Sequence, residues 1–217
     1  MNKIRRANLS EIAYEYIKNN IISGEYKAEE LITENKIAAA IQMSRTPVRR
    51  ALIQLEAENY VRTIDGIGTL VVGLSLSDLE EIYDVRKALE VQALRTSINR
   101  ITSQELEKIE QEFYSILEQY DSGLDVNSED LVWADKHIHD LIVDRSANRY
   151  IRKLMSDIEI QIERYKSFAY AETETGREGL IQHLELLGYI KVRDFEKAKV
   201  FLRKHIDWSY EELSKVL

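Results

Sequence analysis

The chain has 217 residues, 44% of them hydrophobic, with one proline, eight glycines, no cysteine and a formal net charge of −8. The lack of cysteine excludes disulfides, thiolate metal sites and a cysteine nucleophile, and the scarcity of proline and glycine predicts a mostly helical protein with short connections. No apolar run is long enough to span a bilayer and no secretory core segment is present, so a cytoplasmic protein of two modest domains is expected.

A first helix is predicted at about Ser10–Ile22, with Ile12, Tyr16, Ile17 and Ile21 at helical spacing and Gly24 as its stop. Thr33 then reads as the N-cap of a short helix carrying Ile37, Ala38 and Ile41. Gln42-Met43 is the tight connection to a second helix, whose start is signalled by Ser44 as N-cap and Pro47 in the first turn. Arg45 and Arg49 lie four residues apart and share a face with Thr46, while Val48, Leu52 and Leu55 form an inward stripe. A cationic, hydrogen-bonding helix mouth behind a short partner helix is what a DNA-reading helix-turn-helix requires. Beyond it, Tyr60–Ile64 and Thr69–Val72 flank Asp65-Gly66, a hairpin signal that predicts a wing. An ordinary pair of helices with a solvated basic face is the alternative; the agreement of capping, facing and wing chemistry favours DNA binding.

Near Gly73–Leu76 the pattern changes to sustained helical periodicity, dividing the chain into residues 1–73 and 74–217. Residues 1–73 carry 10 Lys and Arg against 9 Asp and Glu, and residues 74–217 the remaining 20 against 29. The acidity thus lies in the second part, and DNA binding by the first must rest on where its cations stand. Six further helices are predicted at about Ser77–Asn99, Ser103–Tyr120, Ser128–Asp144, Asn148–Ala171, Thr175–Val192 and Phe195–Val216, with a turn region over Thr173–Gly179 between the fourth and fifth. The expected fold is mainly α: an N-terminal winged helix-turn-helix followed by an antiparallel all-helical bundle of about six helices.

Three of the four histidines fall on apolar stripes of that bundle. Asp135 and His139 are four residues apart between Leu131 and Ile142, His183 lies between Leu180 and Leu187, and His205 between Phe201 and Trp208. His137 points the other way, toward the surface. A single inward histidine is most simply a satisfied core residue. Four ligand-type groups on inward faces call for a partner, and three imidazoles with a carboxylate suit a divalent ion, zinc or nickel, with positions left for water or a ligand. A metal-dependent enzyme of the helical-bundle type with an accessory DNA-binding module is an alternative. It lacks a separate general base and a Glu-x-x-His pair. A nucleic-acid-binding structural protein without an effector would leave the polar cluster unexplained.

Leu9 to Val72, above all SRTPVRRAL followed by LEAENYV and the glycine-containing wing, resembles the N-terminal domain of the GntR family of bacterial transcription regulators. The resemblance implies that Arg45, Thr46 and Arg49, at a recognition helix opened by Ser44, contact operator DNA, and that Gly68 belongs to a wing tip entering the minor groove. The family often has Pro-Gly where this chain has Ala28-Glu29, and a basic residue is common at the position of Asn35. Arg50 stands where the family usually has an acidic residue, adding a phosphate contact or only a surface charge. Residues of about 78–210, with DVRKALE, ADKHIHDLIVDRSANRYI and single histidines in the last two helices, are similar to the FCD-type ligand-binding domain of the FadR subgroup. About six helices there are closer to its VanR-like branch. This implies a metal held by an aspartate and three histidines, here Asp135, His139, His183 and His205. It also implies a homodimeric regulator, often a repressor, whose effector is a small carboxylate. Arg86, on the inward stripe with Ile82, Tyr83, Leu89 and Ala93, is the candidate to bind that effector; pairing with Glu90 four residues on is the equal alternative.

Overall fold

The computed structural model describes residues 9–172 and 175–217. The chain divides into two compact units, Met1–Leu74 and Ser75–Leu217. The expected domain 1–73 and the Thr173–Gly179 turn therefore lie partly outside the described residues; Gly176 and Gly179 themselves belong to a helix.

The first unit holds α1 (Leu9–Ile22), β1 (Leu31–Ile32), α2 (Glu34–Ala40), α3 (Arg45–Ala57), β2 (Val61–Ile64) and β3 (Gly68–Val71). Gly24, at φ +77°, ends the α1 region in the left-handed conformation that glycine adopts without a Cβ penalty. The Thr33 hydroxyl caps α2 by accepting from the Lys36 amide at 3.2 Å. Ser44 stands at the N-cap of α3 with extended dihedrals, but its side chain makes no capping bond, contrary to expectation. Pro47 occupies the third helical position, so the amide that most often reaches a cap hydroxyl is missing. Ala13, Ile17, Ile37, Val48, Ala51 and Leu55 join Tyr60, Val61 and Val71 in one core that fixes the three helices and the sheet.

The strands form an antiparallel sheet in the order β1-β3-β2, pairing Leu31 with Leu70 and Val61 with Val71. β1 is an addition to the predicted hairpin. The wing turn spans three residues, 65–67, closed by the Ile67 amide on the Ile64 carbonyl at 3.0 Å, with Gly66 supplying the positive φ of 73°. Glu29, where the resembled family often has glycine, also sits at a positive φ of 64°; its amide donates to the Val71 carbonyl at 3.0 Å.

The second unit consists of α4 (Leu76–Ser97), α5 (Ser103–Asp121), α6 (Ser128–Asp144), α7 (Arg149–Glu172), α8 (Gly176–Lys191) and α9 (Phe195–Ser214), the six predicted helices to within a few residues at each end. Side-chain caps explain several starts. Ser75 accepts from the Asp78 amide, Asn127 from Glu129, Asp194 from Lys197, and Thr102 forms a reciprocal capping box with Glu105. α6 is the central helix, packed against α4, α5, α7 and α8, and α9 lies against α4 and α8. Its buried residues Leu131, Ala134, Asp135, Ile138, His139 and Ile142 follow the three-four spacing that carries a polar pair into the interior along with its apolar neighbours. No described helix is long and apolar enough to cross a membrane.

Candidate metal centre and DNA-reading face

One turn of α6 brings Asp135 and His139 to the same buried face, α8 adds His183 and α9 adds His205. One ligand atom from each of the four lies within 4.8 Å of the others, and all four residues are buried. Asp135 Oδ1 is 3.5 Å from His183 Nε2 and 3.9 Å from His139 Nε2, and the Nε2 atoms of His183 and His205 are 3.0 Å apart. The far sides of the ligands are held by other groups. Glu90 Oε2 lies 2.5 Å from His139 Nδ1, Gln182 Oε1 lies 3.0 Å from His205 Nδ1, and Lys166 pairs with Asp135 Oδ2. Phe113 stacks on the His183 ring with centroids 5.5 Å apart.

These residues fit a metal ion on two grounds. A proton on Nδ1 of His139, shared with Glu90, turns the Nε2 lone pair toward the cluster, the arrangement in which a carboxylate orients a ligating imidazole. That buried Nε2 has no hydrogen-bond partner, as is also true of His183 Nδ1. A buried acceptor without a partner is costly, and a cation at the centre removes the cost for His139. The spacing agrees as well: bonds of about 2.0–2.1 Å to one ion put neighbouring ligand atoms about 3–4 Å apart. Three nitrogens and one oxygen suit zinc or nickel.

Electrostatics favours the metal-ligating forms of Asp135, His183 and His205. Burial pushes the His183 pKa down to about 3 even though the Asp135 carboxylate pulls the other way. Burial likewise holds His205 well below the ordinary imidazole value, helped by His183 and His139. Burial resists ionisation of Asp135, but the Lys166 ammonium, the adjoining imidazoles and Arg86 outweigh it and keep the carboxyl well below its usual range.

Around the cluster lies a charged group that sequence reasoning captured only in part. Arg86 donates from Nε to Glu90 Oε1 at 2.6 Å and from Nη1 to the Tyr83 hydroxyl at 3.2 Å, and its Nη2 is 3.9 Å from Asp135 Oδ2. The pairing with Glu90 is thus realised, and Arg86 also borders a cavity of about 250 Å³ shared with Glu90, Asp135, His139 and Lys166. Burial opposes ionisation of Glu90, yet His139 and Arg86 bring its pKa to about 2. Burial and the neighbouring Arg86 lower Lys166 to about 8 against the pull of Asp135. Lys166 was not among the candidates. Its signal is its step from Ile162 to Ala169 along the buried face of α7, where a lysine among apolar residues needs a partner. His137 stands apart as expected, half-buried against Trp133 with Nδ1 3.1 Å from Glu112.

On α3, Ser44, Arg45, Thr46, Arg49 and Arg50 are all exposed. Arg45 and Arg49 converge on one residue that the sequence reading overlooked, Glu34 at the start of α2. Arg45 Nε and Nη2 donate to Glu34 Oε2 at 3.1 and 3.0 Å, and Arg49 donates to Oε1 from Nε at 2.6 Å and to Oε2 from Nη2 at 3.0 Å. Gly68 follows the wing tip, paired with Ile64 at the start of β3. Its φ of 154° and the 3.2 Å that a Cβ would have to the Ile32 carbonyl oxygen make glycine a requirement of the sheet at that point.

Residues 9–71 match the bacterial regulatory proteins of the gntR family, and residues 81–207 match the FCD domain. The chain is 27% identical over 206 residues to the uncharacterized HTH-type transcriptional regulator YdhC of Bacillus subtilis (strain 168), covering 94% of this chain and 90% of that protein. It is 25% identical over 201 residues to the HTH-type transcriptional repressor GlaR of Escherichia coli (strain K12), covering 89% and 90%. The fold is shared with E. coli McbR/YncC, at a TM-score of 0.73 and 20% identity over 95% of this chain and 97% of that one. The two curated relatives are transcriptional regulators, and the metal-dependent enzyme considered as an alternative is not supported. The chain belongs to the GntR family of bacterial transcription regulators and carries an FCD domain.

Proposed function

We propose that this regulator is a homodimeric repressor of the VanR-like branch of the FadR subgroup, released from its operator by a small carboxylate metabolite that binds beside a metal. The observation that carries the proposal is the buried Asp135, His139, His183 and His205 cluster, of which Asp135 and His139 line a cavity together with Arg86 and Lys166. A divalent ion, zinc or nickel, bound there would offer open positions to a carboxylate. Arg86 and Lys166 supply cationic donors to the same cavity, and Glu90 and Gln182 hold two of the imidazoles in orientation. The name of the repressor GlaR supports repression as the sense of control. Arg45, Thr46 and Arg49 read base edges and phosphates in the major groove, Ser44 and Arg50 add backbone contacts, and the wing approaches the minor groove through residues 65–67 with Gly68 behind them. Two copies are required because one small winged domain offers few base contacts, whereas a two-fold pair reads a palindrome.

The test is fluorescence anisotropy of a palindromic duplex enriched from a random pool by the full chain, with sedimentation run in parallel. Small mono-, hydroxy- and dicarboxylates are added to metal-loaded and to chelator-treated protein. At least one carboxylate should weaken DNA binding of the metal-loaded form alone, by about 5- to 150-fold, the usual range of coupling between two sites. Identical DNA affinity with every carboxylate, or a monomer both free and on the duplex, contradicts the proposal.

A further inference from the structure

We infer that Glu34 determines operator specificity by holding Arg45 and Arg49 in a single arrangement; the inference rests on the reading that those two arginines contact DNA. Glu34 is the first residue of α2, set in place by the Thr33 cap, and both arginines come from the first two turns of α3. One carboxylate therefore ties the positioning helix to the recognition helix at the face offered to DNA. The two arginine side chains remain more than half exposed, at 58% and 59%, while the Glu34 side chain is 23% exposed.

The geometry of the bonds separates two roles within each guanidinium. Both arginines use Nε and Nη2 toward Glu34, and among the described residues no bond engages Nη1 of either. Nη1 and the second hydrogen of Nη2 form the other edge of the planar fork, which is the edge that can address guanine O6 and N7 or a phosphate as a pair of donors. An unrestrained arginine gives up much rotamer freedom on reaching a base. Here that loss is taken in folding, so contact with the correct base costs less. The same carboxylate puts a negative charge about 3 Å from both cations, as hydrogen-bonded contact requires, and so weakens attraction to phosphates of any sequence. Glu34 thus acts in opposite directions on specific and non-specific binding, which a residue that merely stabilises the fold does not.

The experiment uses the full chain and two duplexes at one salt concentration: one enriched from a random pool by the parent protein, and one of the same composition with scrambled sequence. For Glu34→Gln and Glu34→Ala, affinity for the scrambled duplex should rise and affinity for the enriched duplex should fall. The specificity ratio then drops by about tenfold, a small part of the span that separates specific from non-specific binding. Circular dichroism gives the folded fraction of each variant, and a purely structural role lowers both affinities together with that fraction. A ratio within about twofold of the parent's, or affinities that rise in parallel on both duplexes, overturns the inference. Arg45→Ala and Arg49→Ala are measured alongside. If neither weakens binding to the enriched duplex, the DNA-contact reading falls and the role of Glu34 falls with it. If they weaken it while Glu34→Gln leaves the ratio unchanged, the role of Glu34 alone is refuted.

Discussion

The Tyr165 hydroxyl donates to the Ser75 carbonyl at 2.9 Å and accepts from the Ser75 amide at 3.2 Å, so one side chain of α7 grips both backbone groups of the residue that caps α4. Ser75 is the first residue of the second unit, joined by Leu74 to the DNA-binding unit. The next residue along α7, Lys166, pairs with Asp135 of the candidate metal centre. Two consecutive residues of α7 thus touch the candidate metal cluster and the first residue of the second unit. Tyr165→Phe keeps the ring and removes both bonds. It should leave metal content and carboxylate affinity as in the parent while reducing the effect of the carboxylate on DNA affinity several-fold, within the usual range of about 1–3 kcal/mol for coupling. Calorimetry for ligand binding and anisotropy for DNA binding separate the two; an undiminished response would remove Tyr165 from the path.

Arg86 is fully buried and tied to Glu90, so its removal strands a carboxylate in the interior. Breaking a buried pair costs about 3–5 kcal/mol. Because His139 still faces Glu90, the lower end of that range is expected for Arg86→Ala in urea denaturation, with a larger loss than for exposed Arg50→Ala. Equal stability of the two variants would mean that the pair is not holding the core.

Acid should destabilise the protein when a chelator is present. The folded-state pKa of His183 is depressed to about 3 and that of His205 also lies well below the ordinary value, in both cases through burial. Below an unfolded pKa of about 6.5 the unfolded chain binds protons that the folded chain refuses, so this contribution is complete above that value and is lost as pH falls. Between pH 7.5 and 5.5 His183 accounts for about 1.4 kcal/mol of lost stability, and His205 acts in the same direction. Urea midpoints at the two pH values test the sign; a higher midpoint at pH 5.5 would falsify it.

Gly176 starts α8 where a Cβ would come within 2.5 Å of Leu131 Cδ1 and 2.7 Å of the Tyr120 hydroxyl oxygen. That close approach lets α8 lie against α6 and carry His183 to Asp135. Gly176→Ala should cost about 1–3 kcal/mol by overpacking and weaken metal retention, whereas Gly188→Ala, with open space around it, should do neither. Thermal melts of the two variants decide the point.

Much of this was legible in the sequence because the helices are amphipathic and capped. The six helices of the second unit follow from apolar spacing with Ser, Thr, Asn and Asp at their starts. The convergence of Asp135, His139, His183 and His205 follows from their inward register. What escaped depends on contacts across the chain. β1 is only two residues long, too short for any alternation, and exists because Leu31 and Ile32 pair with β3. Glu34 lies 11 and 15 residues from its arginines and reads locally as an acidic residue in the first turn of a helix. Glu90 was visible only as a partner of Arg86. Its register along Leu79, Tyr83, Arg86, Glu90 and Ala93 marks it as buried, but its bond to His139 spans 49 residues and needed the tertiary structure.

The central claim is that Asp135, His139, His183 and His205 hold a divalent metal in the FCD domain. Elemental analysis of bound zinc and nickel per chain, after dialysis against equal concentrations of both ions, tests it most directly. It is applied to the parent, to His139→Ala, His183→Ala and His205→Ala, and to His137→Ala as the control outside the cluster. One metal per chain is predicted in the parent and in His137→Ala, with clear loss in each of the other three. Full occupancy in those three, or an equal loss in His137→Ala, would contradict the claim.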